Sequence, residues 1–281
     1  MFRKVRRNGV VFYVSTLLEG TKHGFSTRIG GVSEGDLASL NLGYGRGDSD
    51  DTVNKNRRLF AAACGIDEGE YIVNSVFVSA QQVHSARIEY VTPSNKDSDF
   101  VCDGFVTDIP RIPIAVKTAD CVPILLYEGG AGVAAAVHAG WRGTASGIVG
   151  VAVQRMCDLG ANRDRIRAAI GPSICADCFE VSDDFIEEFR SLELSSPCRY
   201  VRAAADAIAD EFIVRYDGDE NGDGKLHCDL TSVNERILLL SGVRARNIDK
   251  ASLCTKESSC RFYSHRRSGP ARGVMGAVIM V

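Results

Sequence analysis

Short apolar runs bounded by turn residues recur along this chain. They alternate with stretches whose apolar positions fall at helical spacing, a pattern that predicts mixed α and β structure. The run at 133–137, Val-Ala-Ala-Ala-Val, predicts a buried strand that ends on His138. After Gly140, Trp141, Arg142 and Gly143, the spacing of Ile148, Val151, Ala152, Arg155 and Met156 predicts a helix over 143–159, closed by Gly160. Two extended runs around Asn8-Gly9 read as a hairpin. Further strands are expected near 100–107, 112–117, 122–127, 166–170 and 274–281. The stretch 71–83 is also apolar and β-rich, and it leads into Gln82-Val83-His84. Helices are expected over 50–65, 182–192 and 201–216. Another should open at the capping box Ser232-Val-Asn-Glu235 and stop at Gly242. A strand ending at Arg28 runs into the Gly-rich stretch 29–33, which is either a plain turn or a loop whose N–H groups approach an anion.

Composition narrows the function classes. The chain has 281 residues, 45% hydrophobic and 25% charged, enough for a large core. A net charge of −3 argues against a general nucleic-acid binder. No apolar run approaches the roughly 20 residues that span a bilayer. The basic N-terminus is followed by an apolar run, 10–14, too short for a secretory signal, so a cytoplasmic location is expected. Ten cysteines outside a secretory context read as small buried hydrophobes, not a disulfide framework. With no internal repeat and no convincing linker, one domain over 1–281 is expected.

Only five histidines occur. Two of them, His84 and His138, sit at the ends of apolar strands, and Cys121 sits at a break between strands. Imidazole plus thiolate is a zinc-type ligand set, and three protein ligands leave a fourth position for water or substrate. Spacing alone equally allows hydrogen-bonded strand-end histidines and a core cysteine. Arg142 lies at the mouth of the expected helix, where a metal and an anion could sit side by side. Two other motifs carry less. The acidic run at 217–223 copies the first half of an EF-hand loop, but its twelfth position is Cys228, so a polar surface insertion is expected. Cys175-x-x-Cys178 lacks a thioredoxin-like βαβ context and reads as structural.

Six stretches together resemble the YfiH-like family, also called the laccase-domain or polyphenol oxidase family. They are Phe25-Ser-Thr-Arg28-Ile-Gly-Gly-Val-Ser33, Gln82-Val-His84, Thr118-Ala-Asp-Cys121-Val-Pro123, Val137-His-Ala-Gly-Trp-Arg-Gly143, Ile170-Gly-Pro172 and Ser264-His-Arg-Arg267. The resemblance runs from about Phe25 to the C-terminus. It departs at His265, where the family has tyrosine, and at Ala271-Arg272, where it closes with Gly-Arg. It implies an α+β (mixed α/β) fold of four layers, α/β/β/α, with two mixed sheets face to face. It implies Zn²⁺ held by His84, Cys121 and His138. It further implies phosphorolysis of adenosine, inosine, guanosine or methylthioadenosine and deamination of adenosine, with purine nucleosides and inorganic phosphate as partners. Phosphate or substrate contacts would fall to Arg28, Gln82, Arg142, Arg266 and Arg267, with Arg272 beside the last two. Asp120, next to Cys121, is the candidate acid/base or a ligand-orienting carboxylate. The H-x-E…P-C-x-x-C signature of other zinc deaminases is missing. The family includes a peptidoglycan editing factor, so a cysteine hydrolase using Cys121 and His138 is the alternative. A multicopper oxidase is rejected, because five histidines cannot supply a blue-copper site plus a histidine-rich trinuclear cluster.

Overall fold

The structure is a computed structural model that describes residues 1–66, 76–204, 207–215 and 224–281. The acidic run at 217–223 lies outside the described residues, as do residues 71–75 of the expected strand at 71–83. Within 76–83 only single bridges form, Val78 to Ile114 and Gln81 to Val101.

Two sheets pack face to face. One has five strands in the order Phe2–Arg7, Val10–Ser15, Lys22–Ser26, Met275–Met280 and Ile114–Thr118, antiparallel throughout. The other has six, in the order Ile248–Lys250, Arg167–Ile170, Val122–Glu128, Val133–Ala139, Gly104–Thr107 and Ile88–Tyr90. It is mixed: the outermost pair on each edge is parallel and the inner pairs are antiparallel. A small antiparallel sheet, Glu180–Val181, Leu226–Cys228 and Ile213–Arg215, stands apart.

Strand periodicity sorts the side chains into three apolar interfaces. Along Val122–Glu128, Ile124 and Leu126 join a cluster with the helical residues Ile148, Val149, Val153, Val233 and Ile237. Between them Leu125 points the other way and packs with Phe25, Val116, Ala277 and Ile279 of the five-stranded sheet. The outer face of that sheet, with Phe12 and Val278, is covered by Phe60, Ala61 and Cys64 of the helix Asp50–Cys64. Three interfaces stack four layers, α/β/β/α, each driven by removal of apolar surface from water.

Most expected elements are present, with shifted ends that have local causes. The hairpin turns at Asn8 and Gly9, both at positive φ. The helix Asp50–Cys64 starts on its acidic pair as expected, capped by Ser49, whose side chain accepts the Thr52 N–H, and Gly65 at φ 76° ends it. The helix expected over 143–159 is two, Trp141–Ala145 and Ile148–Asp158, parted where Gly147 takes φ 72°. Strand Val133–Ala139 runs two residues further than its apolar core, so His138 lies within it. The helix expected from 182 begins at Phe185 and runs to Leu194. The single helix expected over 201–216 is instead Arg199–Ala203 and Ala207–Phe212, followed by strand Ile213–Arg215. The capping box gives way to Asp229, whose carboxylate takes the Ser232 N–H at 3.0 Å, so that helix spans Leu230–Leu240. Among the described residues, no helix is long and apolar enough to cross a membrane.

Candidate active site

Antiparallel register gathers the site at one end of the six-stranded sheet. Pro123 pairs with His138 and Val122 with Ala139, so Cys121, just before strand Val122–Glu128, lies beside the end of Val133–Ala139. Gly104 pairs with Val137, and His138 N–H donates to the Asp103 carbonyl at 2.7 Å. Ile88 pairs in parallel with Gly104, which brings the preceding loop, with His84 at φ 60°, to the same end. The ligand atoms of His84, Cys121 and His138 all lie within 4.8 Å of one another.

This donor set fits a zinc-type ion. Cys121 Sγ lies 3.8 Å from His84 Nε2. Tetrahedral zinc with ordinary Zn–S and Zn–N bonds separates such atoms by about 3.6 Å. His138 Nδ1 is 2.9 Å from Asp103 Oδ1, which leaves Nε2 for a metal. Asp103 is fully buried and also accepts from the backbone N–H groups of Val83, His84 and Ser85 and from the Ser85 hydroxyl. Gly140 gives the imidazole room: a Cβ there would meet His84 Cδ2 at 2.5 Å and Cys121 Sγ at 3.3 Å.

The electrostatics are mutually reinforcing. Burial alone would raise the Asp103 carboxyl, but hydrogen bonds from His138 and Ser85 hold it down to about 2. Burial also opposes ionisation of Cys121. The charge and hydrogen bond of His138, then those of His84, outweigh it and bring the thiol down to about 6. His138 is raised to about 9 against burial, by the Cys121 thiolate first and Asp103 second.

Two cavities meet at this cluster, both lined by His84, Ala119 and Cys121. The larger, 540 Å³, is walled by Trp141, Phe179, Phe185, Asp120, Arg142 and Arg266, among others. Trp141 packs against Phe185 with ring centroids 4.8 Å apart and planes tilted by 49°. The smaller, 280 Å³, also reaches His138 and is lined by Arg46, Lys117 and Arg272. Arg272 Nε and Nη1 are buried with no hydrogen-bond partner among the described residues. Burial, then the charges of Arg57 and Arg46, push Lys117 down to about 8. Burial and the nearby Arg46 likewise lower Arg272.

The residues singled out from sequence are distributed unevenly around this centre. Arg142 reaches the larger cavity, its guanidinium over the Trp141 ring at 4.1 Å and 3.9 Å from Glu188. Its helix is five residues long, so Arg142 stands there with little help from a helix dipole. Arg266 lines the same cavity and donates to the Glu180 carbonyl. Gln82 lines the smaller cavity with its amide locked to the Lys117 backbone by two bonds of 2.8 Å. Arg28 and Arg267 line neither cavity. Arg28 donates to the Ala38 carbonyl and stacks over Tyr263, while Arg267 binds the carbonyls of Thr255, Lys256 and Phe262. Asp120, at φ 94°, has both carboxylate oxygens engaged, by the Thr255 hydroxyl at 2.6 Å, the Ser264 hydroxyl at 3.0 Å and the Arg266 N–H at 2.7 Å. Sequence reasoning passed over Asp103, Arg46 and Lys117. Only the positions of Lys117, one residue before Thr118-Ala-Asp-Cys, and of Arg46, between two glycines, could have signalled the cations.

The other three histidines do not join the centre. His23 accepts the Ser15 N–H, His227 is bonded to the Ala176 carbonyl, and His265 lines the larger cavity with Nδ1 on the Gly269 carbonyl.

A family model described as multi-copper polyphenol oxidoreductase laccase matches residues 22–281. The chain is 35% identical over 254 residues to "Adenosine deaminase RL5" of an unknown prokaryotic organism, covering 87% of this chain and 88% of that protein. It is also 35% identical over 257 residues to a purine nucleoside phosphorylase of Deinococcus radiodurans, covering 92% and 88%. Its fold is similar to the crystal structure of the Bacillus licheniformis hypothetical protein YfiH, with TM-score 0.81 and 30% identity over 100% of this chain and 98% of that one. YlmD from Geobacillus stearothermophilus is similar too, with TM-score 0.80 and 31% identity over 99% and 98%. On a match that begins at residue 22 and reaches the last residue, with relatives of this identity over most of both chains, the chain belongs to the YfiH-like, laccase-type family.

Proposed function

We propose that this chain is a zinc-dependent purine nucleoside enzyme. It would phosphorolyse adenosine, inosine, guanosine or methylthioadenosine to free base and ribose 1-phosphate, and it would deaminate adenosine. The observation that carries the reading is the position of His84 and Cys121 between two cavities, one that presents the rings of Trp141, Phe179 and Phe185 and one that gathers Arg46, Lys117 and Arg272. The names of the relatives, adenosine deaminase and purine nucleoside phosphorylase, agree with it.

Zinc held by His84, Cys121 and His138 supplies Lewis acidity. The chain's own residues do the rest. Trp141, Phe179 and Phe185 offer ring faces on which a purine stacks. Arg46, Lys117 and Arg272 hold phosphate on the other side, where the buried donors of Arg272 gain an acceptor. In phosphorolysis an oxygen of hydrogenphosphate bonds to C1′ as the C1′–N9 bond breaks, and the proton that the phosphate loses goes to the departing base. In deamination water adds at C6 and ammonia departs. Asp120 serves as a positioning residue, because its oxygens already bind Thr255, Ser264 and Arg266 and thereby tie the Cys121 loop to the wall of the larger cavity.

The test is product analysis. Zinc-replete protein is incubated with adenosine, with and without phosphate, beside a Cys121→Ala control. Phosphate-dependent adenine marks phosphorolysis, and phosphate-independent inosine marks deamination. Parallel tubes hold inosine, guanosine or methylthioadenosine with phosphate, and all four nucleosides intact in every tube would sink the reading.

One observation favours a second reading. Cys121, His138 and Asp103 form a thiol–imidazole–carboxylate series with a depressed thiol, the arrangement of a cysteine hydrolase. That enzyme would act on misincorporated cell-wall precursors as a peptidoglycan editing factor. Turnover of such precursors that survives zinc removal and is abolished by alkylation would select it.

A further inference from the structure

A second group of metal-type ligands lies away from the candidate active site. Cys175, Cys178, Cys254 and Glu257 each offer one donor atom, and these atoms all lie within 4.8 Å of one another. Two local turns build the group. Ala176–Cys178 is a short 3₁₀ helix, a geometry in which side chains at i and i+3 lie on the same side. Cys178 N–H closes it onto the Cys175 carbonyl at 3.2 Å. Cys254 and Glu257 have the same i, i+3 spacing in a turn where Ser258 N–H reaches the Cys254 carbonyl at 3.2 Å. The two turns are clamped together by a parallel bridge between Ser173 and Cys254. Within it Ser173 N–H donates to the Leu253 carbonyl at 3.2 Å and Thr255 N–H to the Ser173 carbonyl at 3.0 Å.

We propose that Cys175, Cys178, Cys254 and Glu257 bind a second, structural zinc ion. Glu257 Oε1 lies 3.8 Å from Cys175 Sγ and 3.7 Å from Cys178 Sγ. Tetrahedral zinc with one carboxylate oxygen separates oxygen from sulfur by about 3.6 Å. Three thiolates and a carboxylate form a closed set of four with a soft, zinc-selecting majority, unlike the three-ligand His84–Cys121–His138 cluster. None of the three cysteines is in a disulfide. Cys254 is buried and Cys175 and Cys178 are half-buried, while Glu257 is exposed, so an ion can enter from the Glu257 side.

The place of the site gives the ion a role. Phe179 and Glu180, directly after Cys178, line the larger cavity, and Thr255, directly after Cys254, holds Asp120. Zinc joining the two turns would fix this wall without touching substrate. Its presence does not depend on which reaction the main site performs.

The test is metal stoichiometry. Protein expressed with zinc and purified without an immobilised-metal column is analysed by mass spectrometry of its metals. Two zinc ions per chain are expected, falling to one in Cys254→Ser, one in Cys121→Ala and none in the double variant. Cobalt substitution guards against misfolding of the serine variants. In Cys121→Ala, cobalt should keep an intense thiolate charge-transfer band, and Glu257→Gln should shift that band without abolishing it. One zinc per chain that Cys121→Ala removes entirely would overturn the proposal. So would a disulfide among Cys175, Cys178 and Cys254, found by peptide mapping of the denatured, unreduced chain.

Discussion

The Asp103 carboxylate lies 2.9 Å from His138 Nδ1, and the same oxygen accepts the backbone N–H of His84 at 2.9 Å. One buried side chain thus sets the ring orientation of one candidate ligand and the backbone of another. Asp103→Asn keeps the shape but loses the charge, and its NH₂ group must displace one of the bonded donors. Zinc affinity at the His84–Cys121–His138 cluster is expected to fall about 10–100-fold. Competition with a chromophoric chelator measures this, and unchanged affinity would remove Asp103 from the account.

The thiol and imidazole titrations predict a pH window for the protein stripped of metal. Cys121 is depressed from 9.0 to about 6, so its contribution is full above 9.0 and is lost as pH falls through about 6. His138 is raised from 6.5 to about 9, so its contribution is full below 6.5 and is lost as pH rises through about 9. The ion pair therefore stabilises the stripped chain most between those two values. Alkylation of Cys121 by iodoacetamide should follow a midpoint of about 6, and His138→Ala should move that midpoint upward. A midpoint near 9 in the parent protein would refute the pairing.

Gly140→Ala tests how tightly the site is built. Backbone strain does not enter, since Gly140 has φ −67°. The added methyl would meet His84 Cδ2 at 2.5 Å and must push the ring aside. Zinc affinity should drop by about tenfold or more, whereas the thermal midpoint of the metal-free chain should scarcely move. A loss of stability without a loss of affinity would contradict the local reading.

Arg272→Gln separates the two reactions. Removing a charged donor from phosphate should raise the KM for phosphate by roughly 10–100-fold, the scale of a charge-assisted hydrogen bond. Phosphate-independent deamination should stay within about twofold of the parent. Equal losses in both reactions would mean that the cationic cavity is not the phosphate site.

Asp229→Ala removes the cap of the helix Leu230–Leu240 and should cost about 1 kcal/mol, read from denaturant unfolding. Ser232→Ala should cost less, because its side chain bonds only to the Asp229 carboxylate.

Much of the fold was legible because its determinants are local. Asn8-Gly9 marks its hairpin, Gly65 its helix end, and the apolar run before His138 its strand. The motifs also led to three residues whose ligand atoms the sheet register brings together. Other features depend on contacts between distant segments. Asp103 follows a cysteine and precedes a glycine, and nothing nearby in sequence marks it as the partner of a histidine 35 residues on. Cys178 and Glu257 are 79 residues apart and meet only because two neighbouring parallel strands deliver their loops to the same place. Gly147 splits a continuous helical pattern because its backbone is left-handed, and a Cβ there would sit 2.7 Å from Cys198. The orphaned donors of Arg272 are visible only once burial is known.

The most direct test of the central claim is reconstitution. Metal is stripped from the parent protein and from Cys121→Ala, zinc is added back stepwise, and adenosine consumption is followed at fixed phosphate. Without metal no turnover is expected; added zinc should restore it in step with occupancy of His84, Cys121 and His138, and should not restore it in Cys121→Ala. Full turnover by the stripped parent protein would contradict that claim.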